Sequence, residues 1–433
     1  MNRIEQTVHQ LVRNNPRLKR LLRNLYQDIA SLVPAQKFES PYPIQTRPYS
    51  FFGFHDKSPF SPDNKALLAH HTQLPPKMPR AGQMIDIGLY RGEEWMEYEK
   101  LADTGAWNWH QGAMLQWLGN SGNLIFNDYR GKIHFSRILD QQGKEISRQD
   151  HPVAAVSPDG IHAVSYDFVR SDRGMPGYGY PHGLDPEGGA LSGKRTGIHL
   201  LNLETGEFRT ICTLYDLAEN KPLPSMDNAF HWVTHCQFSP DGKHFKFFHR
   251  WVHERTRTHF TRMYSVDLAT GSLYLYNTDG MVSHVAWRDP EHLIAWARTH
   301  EHGTGYHLFT VNSATTQPVG MHCFRDDGHP SFSNDGRWML TDTYPDRRRL
   351  QTLILFDSHE EVRYDIARFF HPRAFVGRIV EQRIEVDLHP RWSRDNRTIC
   401  VDSAYTGVRS LVTFHIGELE ADKIETVHNP CQV

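Results

Sequence analysis

The sequence predicts an all-β protein, a seven-bladed β-propeller with a short N-terminal α-helical extension. Three observations predict this fold: a turn unit that recurs along the 433 residues, a strand-like run after each turn, and a helical pattern confined to the first 45 residues. We therefore divide the chain into an N-terminal amphipathic helical extension, a propeller and a C-terminal tail, with the ranges 1–45, 46–420 and 421–433.

The recurring turn is built from Ser, Pro, Asp, Asn and Gly, and an apolar or alternating run follows each copy. The seven copies lie at 60–64, 119–123, 156–160, 238–242, 287–291, 332–336 and 392–396. Asp and Asn hydrogen-bond to the local backbone and Gly or Asn tolerates a positive φ, so this composition is typical of β-hairpins. The uneven spacing of the copies favours a propeller over a solenoid of β-repeats, because propeller blades accept long insertions more readily.

The composition limits the function classes. The 48 Lys and Arg residues nearly balance the 50 Asp and Glu residues, so no overall field attracts nucleic acid. The five cysteines are odd in number and form no C-x-x-C pair, which indicates free thiols in a reducing compartment. The sequence shows neither an apolar run long enough to span a membrane nor a signal-peptide pattern, and we therefore expect a cytoplasmic protein.

The N-terminal extension has apolar residues at helical spacing and a basic cluster. The apolar residues are Leu18, Leu21, Leu22, Leu25, Ile29 and Leu32, and the basic ones are Arg17, Lys19, Arg20 and Arg23. This pattern predicts an amphipathic helix. Two interpretations stay open: the helix packs on the propeller or on a partner, or it makes a peripheral contact with a membrane.

Four of the 28 histidines occupy the same place in consecutive repeats. His235, His284, His329 and His389 each lie three residues before an aromatic residue and just before a turn. This segment is the innermost strand of a propeller blade, so we expect the four side chains to converge at one mouth of the central channel. A single histidine before a strand is usually structural, but a shared position favours a common role. Converging neutral imidazoles suit a divalent metal such as Zn or Mn.

Other polar and aromatic residues are expected at the same mouth, because the second strand of each blade ends there. This group contains Arg130, Tyr166, Arg170, His249, Arg250, Arg298, Asp342 and Tyr344, and the earlier blades add His55, His110 and His151. A loop rich in Gly and Pro at 170–189 carries Tyr178 and Tyr180 and supplies a binding wall.

The motifs SHVAW at 283–287 and GHPSFSNDGRW at 328–338 resemble those of the oligogalacturonate lyase family. Members of this family are seven-bladed propellers that cleave uronic-acid oligosaccharides by β-elimination and bind manganese through histidines. His284 and His329 match ligand positions of the family, and His235 is the candidate for a third match. The family's Gln and His before the second motif are replaced here by Phe324 and Asp327. The ulvan lyases are similar in architecture and use His and Tyr for proton transfer.

The resemblance implies a lyase that acts on an acidic oligosaccharide or polysaccharide with a divalent metal, Mn or Zn. The four repeated histidines would then hold the cation or the uronate carboxylate. His110 would be the base, a tyrosine (Tyr166, Tyr178 or Tyr180) the acid, and Arg250 or Arg298 would assist. The substrate would contact His55, Trp109, Arg130, Arg170 and Tyr344. The alternatives are another glycan-processing enzyme, such as a hydrolase or epimerase of surface polysaccharides, and a non-enzymatic interaction scaffold.

Overall fold

The structure is a computed structural model that describes residues 16–30, 36–253, 258–377 and 382–427. Within these ranges, 29 strands form seven antiparallel sheets arranged as the blades of a β-propeller, which confirms the predicted fold. The first described element is helix α1 (Pro16–Ala30), which is followed by strands β1 (Phe38–Glu39) and β2 (Ile44–Pro48). The first 15 residues and Leu32 of the predicted helix, and the last six of the predicted tail, lie outside the described residues.

The first three blades follow in chain order, each with four strands. Blade one contains β3 (Ser50–Phe51), β4 (Leu67–His71), β5 (Ile85–Arg91) and β6 (Glu97–Thr104). Blade two contains β7 (Gln116–Trp117), β8 (Leu124–Arg130), β9 (Ile133–Leu139) and β10 (Glu145–Gln149). Blade three contains β11 (Ala155–Val156), β12 (His162–Ser165), β13 (Gly197–Asn202) and β14 (Phe208–Thr213), with helix α2 (Phe168–Gly174) between β12 and β13.

Helix α3 (Leu214–Glu219) connects to the fourth blade. Blade four contains β15 (Ala229–Phe238), β16 (His244–His253), β17 (His259–Asp267) and β18 (Leu273–Leu275). Blade five contains β19 (Val282–Asp289), β20 (His292–Thr299), β21 (Gly303–Thr310) and β22 (Thr316–Val319). Blade six contains β23 (Ser331–Phe332), β24 (Trp338–Asp342), β25 (Leu350–Asp357) and β26 (Val362–Phe370). Blade seven contains β27 (Arg391–Trp392), β28 (Thr398–Ser403) and β29 (Ser410–His415).

The two N-terminal strands complete the last two blades. Strand β2 pairs with β29 as the outermost strand of blade seven and so closes the ring, and β1 pairs with β26 at the edge of blade six. The propeller therefore begins at Phe38 rather than at residue 46. Strand β1 has only two residues and lies beside a stretch rich in Ser and Pro, so the sequence contains no alternating pattern that reveals it.

Each copy of the recurring turn connects the first and second strands of its blade. In the Ser-x-Asp copies the serine hydroxyl donates to the aspartate two residues later and accepts the amide N–H five residues later. Ser239 shows both bonds, at 2.7 Å to Asp241 Oδ1 and 3.0 Å from the N atom of His244. The turns therefore satisfy their own polar groups, which explains why this chemistry recurs. We call this end of the propeller the turn end.

None of the helices in the described ranges is long and apolar enough to cross a membrane.

Candidate functional site

The four repeated histidines converge at the end of the central channel that is opposite the turn end. The ring centroids of His284 and His329 are 4.1 Å apart, and those of His329 and His389 are 4.3 Å apart. His235 joins them across the ring of Phe54, whose centroid lies 4.8 Å from His235 and 4.9 Å from His389. We call this end, with these four residues and His55, the histidine mouth.

Backbone distortion turns three of these side chains towards the channel. His235, His284 and His389 have φ values of 57°, 33° and 44°, a left-handed region that costs a non-glycine residue about 1–2 kcal/mol. The strand pairing shifts register between Thr234 and Gln237 and between Ser283 and Val285, so His235 and His284 lie in β-bulges. Such distortions cluster at functional sites, where they redirect a side chain away from the strand alternation.

Hydrogen bonds to Nδ1 fix three of the rings and leave the other nitrogen available. The Nδ1 atom of His329 lies 2.7 Å from Asp342 Oδ1, that of His389 lies 2.8 Å from the carbonyl of Gly53, and that of His55 lies 2.7 Å from the carbonyl of Pro330. The Nε2 atoms of all three rings are buried, and no hydrogen-bond partner for them lies among the described residues. Metal-binding histidines are normally held in this way, with the second ring nitrogen bonded to a carboxylate or carbonyl.

Three aspartates support the cluster. Asp342 also accepts the backbone N–H groups of His329 and His389, and Asp327 lies 3.0 Å from Nδ1 of His284. Asp387 offers a carboxylate oxygen to the channel, and the ligand atoms of His329, Asp387 and His389 all lie within 4.8 Å of one another. Imidazole and carboxylate ligands suit a divalent cation, so the residues fit a metal site. The sequence predicts four histidines as ligands, and the geometry adds Asp387 as a further candidate.

The charge states suit the same role. Burial lowers the pKa of His55, His235 and His389 well below that of an exposed imidazole, so their rings are neutral near pH 7. Burial also lowers the pKa of His329, but the neighbouring carboxylates, Asp342 above all, outweigh it and raise the net value. Burial raises the pKa of Asp387 to about 6. The neutral rings of His55, His235 and His389 are in the form that binds a cation, whereas a cation at His329 would have to displace the proton that the carboxylates favour.

A stacked pair of His110 and Tyr178 lies beside the cluster. Their ring centroids are 4.6 Å apart with an interplanar angle of 13°, and Tyr178 lies 5.6 Å from the ring of His235. Nδ1 of His110 lies 3.8 Å from Asp387 Oδ2, and both ring nitrogens of His110 are buried. Burial, reinforced by nearby arginines, lowers the pKa of His110 well below its usual range. His110 is therefore a neutral base candidate.

Arg250 and Tyr344 complete this side of the histidine mouth. Arg250 is half-buried at the end of the β16 ladder, with its guanidinium 5.3 Å from the ring centroid of Phe248. Among the described residues Arg250 forms no ion pair, and its Nε atom is buried without a partner. Tyr344 is 41% exposed, and its ring centroid lies 5.7 Å from that of His329. The two residues offer a cation and a hydroxyl to a ligand.

Four of the candidate residues lie in the protein interior, where their side chains contact other protein groups. Arg170 donates to the carbonyls of His231, Ala190 and Leu191, and these bonds hold the 170–189 loop on blade four. Tyr180 is completely buried, and its hydroxyl accepts from Asn127. Tyr166 stacks on Phe168 at 4.3 Å, and Trp109 donates its indole N–H to the carbonyl of Lys77. The structure brings none of these polar groups to the imidazole cluster.

Two further candidate arginines lie on the outside. Arg130 is the exposed last residue of β8. Arg298 is exposed near the end of β20, with its guanidinium 3.5 Å from Asp279. Of the two arginines that the sequence proposes as assisting the reaction, the geometry therefore favours Arg250.

A separate cavity of about 440 Å³ opens at the turn end. Its wall contains residues from all seven blades, including Gln116, Gln237, Trp287 and Trp392, and it reaches inward to His55. The reactive groups converge at the histidine mouth, so we place the candidate site there and treat this cavity as the other end of the channel.

Fold and site together define a seven-bladed β-propeller with a buried cluster of histidines and aspartates at one mouth. No family model and no curated protein matches the chain. Among solved structures, oligogalacturonate lyase from Vibrio parahaemolyticus is 12% identical with a TM-score of 0.57, over 88% of this chain and 98% of that one. TolB from Acinetobacter baumannii is 14% identical with a TM-score of 0.38, over 79% and 78%. The tricorn protease is 12% identical with a TM-score of 0.47, over 87% and 34%. These identities show the fold alone.

Proposed function

We propose that this protein is a lyase that cleaves uronic-acid-containing oligosaccharides or polysaccharides by β-elimination at the histidine mouth. One observation carries the proposal: a cluster of oriented imidazoles with unpartnered Nε2 atoms lies beside a neutral histidine stacked on a tyrosine. Such a site combines groups for holding a carboxylate with groups for moving a proton. The solved lyase with a TM-score of 0.57 supports the proposal through its fold.

His329, His389 and Asp387 would hold a divalent cation, with His284 and His55 beside them. A bound cation would neutralise the uronate carboxylate and so raise the acidity of the proton on the neighbouring carbon. Asp342 would keep the ring of His329 in the orientation that presents Nε2.

The proton transfers fall to His110 and Tyr178. In β-elimination the base removes the C5 proton, the C5–H electron pair forms the C4=C5 double bond, and the C4–O bond breaks. The leaving oxygen then takes a proton from an acid. His110 is suited to act as the base because its ring is neutral, and burial raises the pKa of Tyr178, so its hydroxyl remains protonated and able to donate.

Arg250 and Tyr344 would position the substrate. The guanidinium of Arg250 has no carboxylate partner in the described structure, so it is available to a second acidic group of the substrate. Tyr344 is the exposed aromatic residue of the site and can contact a sugar ring with its face or its hydroxyl.

The test is incubation with oligogalacturonate, ulvan fragments and glucuronan while the ultraviolet absorbance of an unsaturated uronate is followed. We expect absorbance with at least one substrate, its loss in His329→Ala, and full activity in the matched control His415→Ala, which changes an exposed histidine at the turn end. No absorbance with any of the three would refute the lyase proposal. Deuterium uptake at C5 without absorbance would instead indicate an epimerase.

A further inference from the structure

Helix α1 docks on the propeller through its polar face. Asn24 and Gln27 are only 8% and 4% exposed, and the side-chain amide of Gln27 donates to the carbonyls of Pro345 and Asp346 at 3.1 and 2.8 Å. The carboxylate of Asp28 lies 2.5 Å from Arg349. Hydrogen bonds and ion pairs therefore contribute to holding the described part of the helix on the propeller.

The apolar face of α1 points away from the propeller. Leu21, Leu25 and Ile29 are 64%, 55% and 60% exposed. Their spacing of four residues places them in one stripe along the helix. A helix that only supports the fold buries its apolar face and exposes its polar face. In α1 this arrangement is reversed, and a contiguous apolar stripe of this kind marks a contact surface.

The helix is basic in sequence, and the side chain of Arg23 is exposed. The sequence of α1 contains Arg17, Lys19, Arg20 and Arg23 against a single acidic residue, Asp28. That carboxylate already pairs with Arg349 and lies 3.3 Å from Arg373. The loop on which the helix docks adds the exposed side chains of Arg347 and Arg348. The charge of this surface is therefore complementary to an anionic partner and repels a second copy of itself.

We propose that the exposed stripe of α1 binds an anionic phospholipid surface, with the apolar side chains inserted among the acyl chains and the basic residues at the headgroups. An apolar stripe flanked by Lys and Arg is the pattern of interfacial helices, and each basic residue near the surface adds electrostatic attraction. The docking loop also carries Tyr344, which lines the histidine mouth. Membrane binding therefore holds this rim of the propeller near the lipid, whether or not the site is a lyase.

The experiment is co-sedimentation of the full chain with two kinds of vesicle. One kind contains phosphatidylcholine alone, and the other contains two parts phosphatidylcholine to one part phosphatidylglycerol. We expect the wild-type protein to sediment with the mixed vesicles only, and added salt to release part of it. The triple variant Leu21→Ser/Leu25→Ser/Ile29→Ser should lose at least about ten-fold in vesicle affinity.

The matched control is Leu184→Ser/Ile133→Ser, which removes two apolar side chains of equal exposure, 63% and 61%, from other parts of the surface. It should bind vesicles like the wild type, and the melting temperatures of both variants should equal that of the wild type. Absence of wild-type binding to the mixed vesicles, or equal binding to both vesicle types, would overturn the proposal. A wild-type dimer that the triple variant dissociates, without vesicle binding, would also overturn it and assign the stripe to a second copy of the chain.

Discussion

The two ends of the propeller are built from the same seven repeats, but they differ in how their polar groups are satisfied. At the turn end, Ser239 and its counterparts bond to the aspartate of their own turn, so these serine hydroxyls are satisfied locally. At the histidine mouth, the Nε2 atoms of His55, His329 and His389 are buried without partners. Groups that are satisfied locally serve the fold, whereas buried groups without partners indicate a ligand.

The largest effect should come from the proton-transfer pair. His110→Gln removes the base but keeps a side chain of similar size, and it should lower turnover by about 10²–10⁴-fold with little change in KM. Steady-state kinetics with the substrate identified by the absorbance assay measures this. The exposed histidine of the turn end serves as control, and His415→Gln should leave turnover unchanged. Equal losses in the two variants would remove the functional distinction between the ends.

The next effect should come from Asp342, the aspartate that orients a histidine of the proposed metal site. Asp342→Asn weakens the contact to Nδ1 of His329 and should lower metal affinity or activity by about 10–100-fold. Elemental analysis and metal titration check this result. Asp335→Asn, which changes the partner of Ser333 in a turn, should bind metal like the wild type. A metal-free wild-type protein would contradict this prediction.

The stability of the metal-free protein should fall in acid. The pKa values of His235 and His389 lie well below the unfolded value of 6.5 because these rings are buried. Between the folded and unfolded values only the unfolded chain takes up protons. The stabilisation is therefore complete above pH 6.5 and is lost as the pH falls below it, by about 1.4 kcal/mol per group and pH unit. Urea unfolding at several pH values measures the slope. His389→Asn should flatten the slope, and His415→Asn should not.

The smallest effect should come from the turn end. Ser239→Ala removes a buried hydroxyl that bonds to Asp241 and to the N–H of His244, and it should lower the free energy of unfolding by about 1 kcal/mol. Urea denaturation checks this value, and catalytic activity should not change. A loss of activity at unchanged stability would show that the turn end also acts in the reaction.

Sequence patterns predict the blades because the information is local. Each Ser-x-Asp turn and the run after it identify a hairpin, and the common register of His235, His284, His329 and His389 indicates their convergence. The strand order, the ring closure by β2 and the bulges at His235 and His284 depend on contacts between distant residues. The sequence therefore contains no local sign of them.

The site is less predictable for the same reason. Asp387 lies two residues before His389, the last of the four repeated histidines. This closeness in sequence is the signal that could have indicated Asp387 as a residue of the site. The sequence does not distinguish Tyr178 from Tyr180 as a candidate acid. In the structure Tyr178 stacks on His110, whereas Tyr180 is completely buried in the interior. The path of the loop decides this: a side chain at Gly179 would lie 2.1 Å from the carbonyl of Phe168, so the backbone approach there requires glycine.

The closure of blade seven has a consequence for biosynthesis. Ile44 of β2 pairs with Phe414 of β29, so the two partners are separated by 370 positions (414 − 44). At ribosomal speeds of about 5–20 residues per second, β2 waits roughly 20 to 75 seconds for β29. Assembly of the toroid is therefore expected to finish only after β29 has been synthesised, and a nascent chain stalled before residue 410 should remain open and bind chaperones.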